Sequence, residues 1–238
     1  MTLKAAVPAT VGQVAGGVIS PGAVLEAAGI EKSYRRGVWP ARRERRVLRG
    51  VSLALYPGEV VGLVGELAPD AGSVTRAGLL GYCPQQPVVY ERLTCDEHFE
   101  LFGHAYGMTP AQRRRSASGL YVALGFERYA ATRAAQLSGG TLAKLNLGLA
   151  LLPDPAVLLL DEPYAGFDFD TYLKFWGLVA ARREVGRSVL IISHFVTDAE
   201  RFDRIVTLRG GTAVQPPDAP GSASAAPPGG ALTREAVK

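Results

Sequence analysis

Cysteine is nearly absent, with Cys83 and Cys95 the only two in 238 residues. Two thiols make no disulfide framework, which fits a reducing cytoplasm. Long apolar runs are missing too: none approaches the roughly 20 residues that cross a bilayer, so the sequence offers no membrane-spanning helix. The weak, glycine-broken apolar stretch at the start carries a single lysine and makes a poor signal peptide. No internal repeat is present. Lysine is scarce, five of 26 Lys and Arg residues: Lys4, Lys32, Lys144, Lys174 and Lys238. None follows a glycine, and none sits at a strand-to-helix junction. The sequence therefore has no Gly-Lys-[Ser/Thr] triplet of the kind that grips a triphosphate.

What is present suits one α/β domain. The chain is 47% hydrophobic, enough for a sizeable core at this length. Residues 1–22 read as a loose leader. Residues 215–238, "QPPDAPGSASAAPPGGALTREAVK", cannot offset chain entropy by burial and are expected to be disordered. The folded part is expected over 23–214. The net charge of +4 owes much to "RRGVWPARRERR", residues 35–46. This reads best as a solvated loop between two strands, with a nucleic-acid or anionic-lipid patch as the sharper alternative.

"VSLALYPGEVVGLVG" reads as strand, Pro-Gly turn and strand, the second over Val60 to Val64. Residues 94–136 read as helical, broken at Pro110 and Gly125, with Thr94 and Glu97 forming a capping box at the start. "LSGGTLAKLNLGLALLPDP" is a turn feeding a helix that ends at Pro153. "AVLLLDEP" and "SVLIISH" are strands buried on both faces, with a helix between them. Helix–strand alternation on both sides of an all-helical insert predicts a parallel sheet with a lateral helical subdomain at about 94–136.

Three stretches carry chemistry. Four apolar residues deliver Asp161 and Glu162 to the C-terminal edge of a sheet, where open α/β folds bind ligands. One acid there can hold magnesium and its neighbour can orient an attacking water; an acidic strand end that merely caps the next element is the plainer alternative. "IISHF" delivers His194 to the same edge, placed to meet a phosphate or simply a surface histidine. "LSGG", Leu137 to Gly140, opens a helix with free amides at its positive end, which serves either an anion or an ordinary N-cap.

In this order the motifs resemble the nucleotide-binding domain of the ATP-binding cassette (ABC) transporter family, over roughly residues 23–212. The resemblance implies an α/β fold: a P-loop NTPase-like parallel sheet with an antiparallel β subdomain and the lateral helical subdomain. It also implies roles. Tyr34 would stack on adenine. Gln85 would sense magnesium and the membrane partner, with Gln86 the less favoured neighbour. Ser138, Gly139 and Gly140 would form the signature, Asp161 would hold the metal, Glu162 would be the catalytic base, and His194 the switch histidine. Asp168, closing "AGFD", would join two sites across a dimer. Lys144, Phe167 and Phe169 stand where arginine, leucine and proline are usual. ATP and Mg2+ are the implied cofactors. A separate transmembrane permease and a second nucleotide-binding subunit, in a homo- or heterodimer, are the implied partners, at the cytoplasmic face of the membrane. Nucleic acid is disfavoured, since soluble relatives of that kind usually carry two cassettes in one chain. A docking or regulatory subunit without turnover is the remaining alternative.

One family element is missing. G-x-x-x-x-G-K-[S/T] should follow Val60–Val64, but after "GLVGE" the chain passes straight into "LAPDAG". The triplet and the helix it opens are gone, so nucleotide held by this chain alone is doubtful. Two consequences are expected: an early end to the strand or a displaced turn at 67–72, and uncovered apolar sheet surface that leaves the domain weaker than its relatives.

Overall fold

The computed structural model describes residues 20–36, 43–64, 70–193 and 198–214. The expected leader, except its last three residues, and the expected disordered tail lie outside the described residues. The fold is α/β. Six strands form one sheet in the order β5-β6-β7-β3-β8-β9, and three form a second in the order β2-β1-β4. The first holds β3 (Val60–Val64), β5 (Leu80–Cys83), β6 (Val157–Asp161), β7 (Ser188–Ser193), β8 (Arg204–Arg209) and β9 (Thr212–Val214). Its first five strands in that order are mutually parallel; β9 closes it antiparallel to β8. The second is antiparallel, with β1 (Leu25–Arg36) between β2 (Arg43–Leu55) and β4 (Ala71–Arg76).

The apolar runs explain the parallel strands. Alternate side chains enter opposite faces, and both faces are covered. On one, Leu158, Leu160, Val189 and Ile191 pack with Phe99, Leu145, Leu147, Phe175 and Trp176. These aromatics and leucines come from α1 (Cys95–Ala105), α3 (Gly139–Leu151) and α4 (Phe169–Glu184). On the other, Val61, Val157, Leu190 and Val206 meet Leu25, Leu53 and Leu55 of the antiparallel sheet. That second face is closed only in its lower half. Leu63 and Leu159, nearer the C-terminal edge, are partly buried, as is Ile192 in the next alternate position of β7.

Helix α1 begins at the expected Thr94–Glu97 capping box, and α2 (Pro110–Leu124) starts on a second box, Thr109 with Gln112. Gly125, in the left-handed region at φ 66°, ends α2 where glycine avoids the Cβ penalty. Two short 3-10 turns, Glu127–Tyr129 and Ala134–Gln136, replace continuous helix before α3.

Of the two alternatives for the join after β3, an early end of the strand is excluded, since β3 keeps its full length to Val64. One expectation needs correction. Ala71, expected inside a turn, already pairs with Glu31 as the first residue of β4. The basic stretch is also less loop than expected. Arg35 and Arg36 complete β1, and 43–46 begin β2, with Arg36 opposite Arg43; only residues 37–42 lie outside the described part.

Candidate functional site

The parallel register builds an acidic edge. Cys83 lies opposite Leu160, Asp161 opposite Ile192, and Val64 opposite Ser193. The C-terminal ends of β5, β6, β7 and β3 are therefore neighbours. Gln85 stands exposed two residues beyond β5, Asp161 is the last residue of β6, and Glu162 follows it. His194 would follow Ser193 here, but it lies outside the described residues, as does 65–69.

Glu162 is held in an unusual way. Its φ of 47° puts a non-glycine residue in the left-handed region, which costs roughly 1–3 kcal/mol and tends to mark functional sites. The turn is secured by its N–H donating to the Ile192 carbonyl at 2.9 Å. The Ser193 hydroxyl donates to its carboxylate at 3.1 Å. The field of Asp161 reaches the next strand. Burial, and then Asp161, push the Cys83 thiol up to about 12 and raise the Tyr82 phenol, so both stay protonated at neutral pH.

A second group sits at the start of α3. Ser138 is its N-cap: the hydroxyl accepts from the Thr141 N–H at 3.3 Å and shares a hydrogen bond with the Thr141 hydroxyl at 2.9 Å. Gly139 and Gly140 form the first turn, where amides lack carbonyl partners within the helix and the helix dipole is positive. A Cβ on Gly140 would stand 3.0 Å from the Gly166 carbonyl, so this turn abuts the loop that ends at Asp168. Asp168 is the N-cap of α4, accepting from the Thr171 N–H at 2.8 Å. The hydrogen bonds from Thr171, with smaller help from Lys144 and Lys174, hold its carboxyl below the usual range. Ser138, Gly139, Gly140 and Asp168 are thus brought together on helix starts.

Tyr34 stands apart, on β1 of the antiparallel sheet. Its ring is 48% exposed, open enough to receive a planar partner. The Lys32 ammonium lies 5.3 Å from its centroid. That ammonium donates to Asp70 at 2.6 Å, and the Ser33 N–H donates to the other oxygen of Asp70 at 2.7 Å. The Lys32 ammonium beside Tyr34 is therefore already engaged by a carboxylate.

Two polar residues that the sequence reading passed over hold the Gln85 segment. Asn146, buried in α3, donates from Nδ2 to the Pro84 carbonyl at 2.9 Å and to Cys83 Sγ at 3.2 Å. His98, fully buried in α1, accepts the Tyr90 N–H at 2.8 Å through Nε2. A lone Asn within "LNLGLALL" and a His on the inner face of α1 were the available signals.

The donor set suits magnesium only in part. Asp161 and Gln85 offer oxygens at neighbouring strand ends, yet the sequence lacks the loop hydroxyl and lysine that would complete the site. Among the described residues no group of three or more His, Cys, Asp or Glu side chains is arranged to hold a metal ion. None of the described helices is long and apolar enough to cross a membrane.

A parallel sheet with acids at its C-terminal edge, and a capped Gly-Gly helix start against the loop that ends at Asp168, suit a nucleotide-binding α/β domain. Known proteins narrow the class. A family model described as ABC transporter matches residues 70–165. The mouse protein "ATP-binding cassette sub-family A member 7" is 33% identical over 206 residues, covering 75% of this chain and 9% of that protein. "Nod factor export ATP-binding protein I" of Paraburkholderia xenovorans (strain LB400) is 30% identical over 209 residues, covering 76% of this chain and 66% of that protein. A solved structure, "Structure of ATP binding subunit of ABC transporter", superposes with a TM-score of 0.70 at 25% identity, covering 81% of this chain and 89% of the other. The chain belongs to the ABC transporter family, as an ATP-binding domain. It spans less than a tenth of the length of the mouse relative.

Proposed function

We propose that this domain is the ATP-binding subunit of an ABC transporter, acting with a separate transmembrane permease at the cytoplasmic face of the membrane. In this reading it pairs with a second nucleotide-binding subunit and supplies that subunit's nucleotide with its signature turn. The observation that carries the reading is an imbalance. The turn at Ser138, Gly139 and Gly140 is capped and complete, while only six residues separate β3 from β4, where a phosphate loop and its helix should stand.

The roles are those that the family resemblance implies. Amides of Gly139 and Gly140, with the Ser138 hydroxyl, would meet phosphate oxygens presented by the partner. Asp168, fixed as an N-cap beside that turn, would join the two halves across the interface. Asp161 and Gln85 would hold Mg2+, Glu162 would orient water, His194 would meet a terminal phosphate, and Tyr34 would face adenine. When bound, ATP with its magnesium supplies a phosphoryl group whose departure releases free energy. The residues present do not fit that group in cis, because the charge clamp of a Gly-Lys-[Ser/Thr] loop is missing. Hydrolysis is therefore assigned to the partner's complete site.

The test is ATP binding by the purified chain, with codons 60–72 of its gene verified, with and without Mg2+. No micromolar binding is expected from the chain alone. ATPase activity should appear on mixing with a lysine-bearing cassette partner and fall when Ser138 is replaced by Arg. Micromolar binding by the chain alone would overturn the asymmetric pairing. Activity indifferent to Ser138→Arg would leave a docking role without turnover as the better reading.

A further inference from the structure

We infer that Asn146 and His98 are positioning residues that gear the Gln85 segment to the signature helix. The bearing of this on transport rests on the reading above; the geometry does not. The segment from Pro84 to Tyr90 leaves β5 and enters the helices without regular structure. Such a segment has no ladder of its own, so its position depends on what holds its ends.

Both ends are held by buried side chains. At the first, Asn146 Nδ2 donates to the carbonyl of Pro84, the residue before Gln85. Asn146 is 6% exposed on an otherwise apolar stretch of α3. It lies eight residues after Ser138, about 12 Å along the helix at about 1.5 Å per residue. At the other end, the Tyr90 N–H donates to Nε2 of His98, which is 0% exposed. The bond requires Nε2 to be bare. Nδ1, 2.7 Å from the Thr94 carbonyl, then carries the proton and donates there. Both ring nitrogens are thus used, and the ring cannot turn over without losing two bonds.

The two anchors sit on helices that are themselves locked together. Gly148 of α3 faces Phe99 of α1 so closely that a Cβ there would stand 3.1 Å from the ring. Phe99 is the residue after His98, and Gly148 is two after Asn146. Any displacement of α3 driven at Ser138 therefore reaches Pro84 through Asn146 and Tyr90 through the α1 contact. Gln85, Gln86 and Val88 stay exposed between the two anchors, free to meet a partner while the ends are fixed.

The full chain, without nucleotide or permease, tests this. Nitrogen-15 NMR of the three histidines should show one ring as the Nδ1–H tautomer at neutral pH. Hydrogen exchange across 85–90 should quicken about tenfold in His98→Phe and in Asn146→Leu, with β6 and β7 unchanged. His98→Gln, which keeps an acceptor, should restore much of the protection. Three results overturn the inference: no Nδ1–H tautomer, unchanged exchange across 85–90, or a uniform rise over the whole chain. If a variant fails to fold, the tautomer in the unaltered chain still decides. Because no ligand or partner enters these measurements, their failure leaves the transporter reading standing, and failure of that reading leaves them untouched.

Discussion

The two faces of the parallel sheet are finished differently. Toward α1, α3 and α4, burial persists to the C-terminal edge: Leu160 is 0% and Ile191 1% exposed. Toward the antiparallel sheet, Val61, Val157 and Leu190 are buried, but Leu63, Leu159 and Ile192, one step further along the same strands, are only partly so. The chain reaches β4 from β3 in six residues, too few for a helix of ordinary length above this edge, and the same short connection carries no Gly-Lys-[Ser/Thr] triplet.

Core truncations should show this difference most strongly. Leu160→Ala, on the closed face, should cost about 2–5 kcal/mol. Leu159→Ala, its neighbour facing the other way, should cost less than half as much, because water already reaches part of that side chain. Denaturant unfolding of both variants measures the contrast. Equal losses would mean that the second face is as well covered as the first, and that the short connection carries no packing penalty.

Titration of His98 gives the next effect and sharpens the closed side of the comparison. Burial lowers its pKa, while the Thr94 bond and Glu97 pull it partway back. An unfolded histidine titrates near about 6.5. Below that pH the unfolded chain takes up a proton that folded His98 resists. The unfolded state then binds more protons, and stability falls with falling pH until His98 itself titrates. Melts from pH 8 down to 5 should therefore show a loss that begins near about 6.5 and is absent in His98→Phe. A parallel decline in both proteins would assign the slope to other groups.

How much of this was legible in the sequence depends on whether the signal was local. The strand end at Asp161, the cap at Thr94 and the Ser-Gly-Gly turn that opens α3 at Ser138 all rest on neighbours in sequence, and they stand where the residue pattern placed them. β4 was missed because it is exposed at five of its six positions and carries no alternation; pairing with β1 makes it a strand. The placement of β3 between β7 and β8 is likewise set by contacts more than a hundred residues away. In the site, Asn146 and His98 escaped notice because a single polar residue in an apolar helix has no motif. Its meaning appears only with the Pro84 carbonyl and the Tyr90 amide beside it.

Removal of the α1 cap is a smaller perturbation on the closed side. Thr94 accepts the Glu97 N–H, and Glu97 accepts the Thr94 N–H at 2.7 Å. Thr94→Ala should cost about 1 kcal/mol, measured by thermal or denaturant unfolding. The Thr94 carbonyl that receives His98 Nδ1 belongs to the backbone and survives the change, so protection of the Tyr90 amide should persist. Loss of that protection would show that the cap and the His98 anchor form one unit.

The smallest effect concerns the antiparallel sheet and its Lys32 ammonium. Lys32 and Asp70 form an ion pair at 2.6 Å, with Asp70 nearly half exposed. Solvent screens such a pair, so Lys32→Met should change stability by about 0–1 kcal/mol. The sharper reading is nucleotide affinity. If Lys32 stood in for a loop lysine, the variant would lose ATP binding; with its ammonium already committed to Asp70, affinity should stay as weak as in the unaltered chain. Equilibrium binding of a fluorescent ATP analogue to both proteins decides between these. A measurable affinity abolished by Lys32→Met would mean that the antiparallel sheet had taken over the phosphate grip that the parallel sheet lacks.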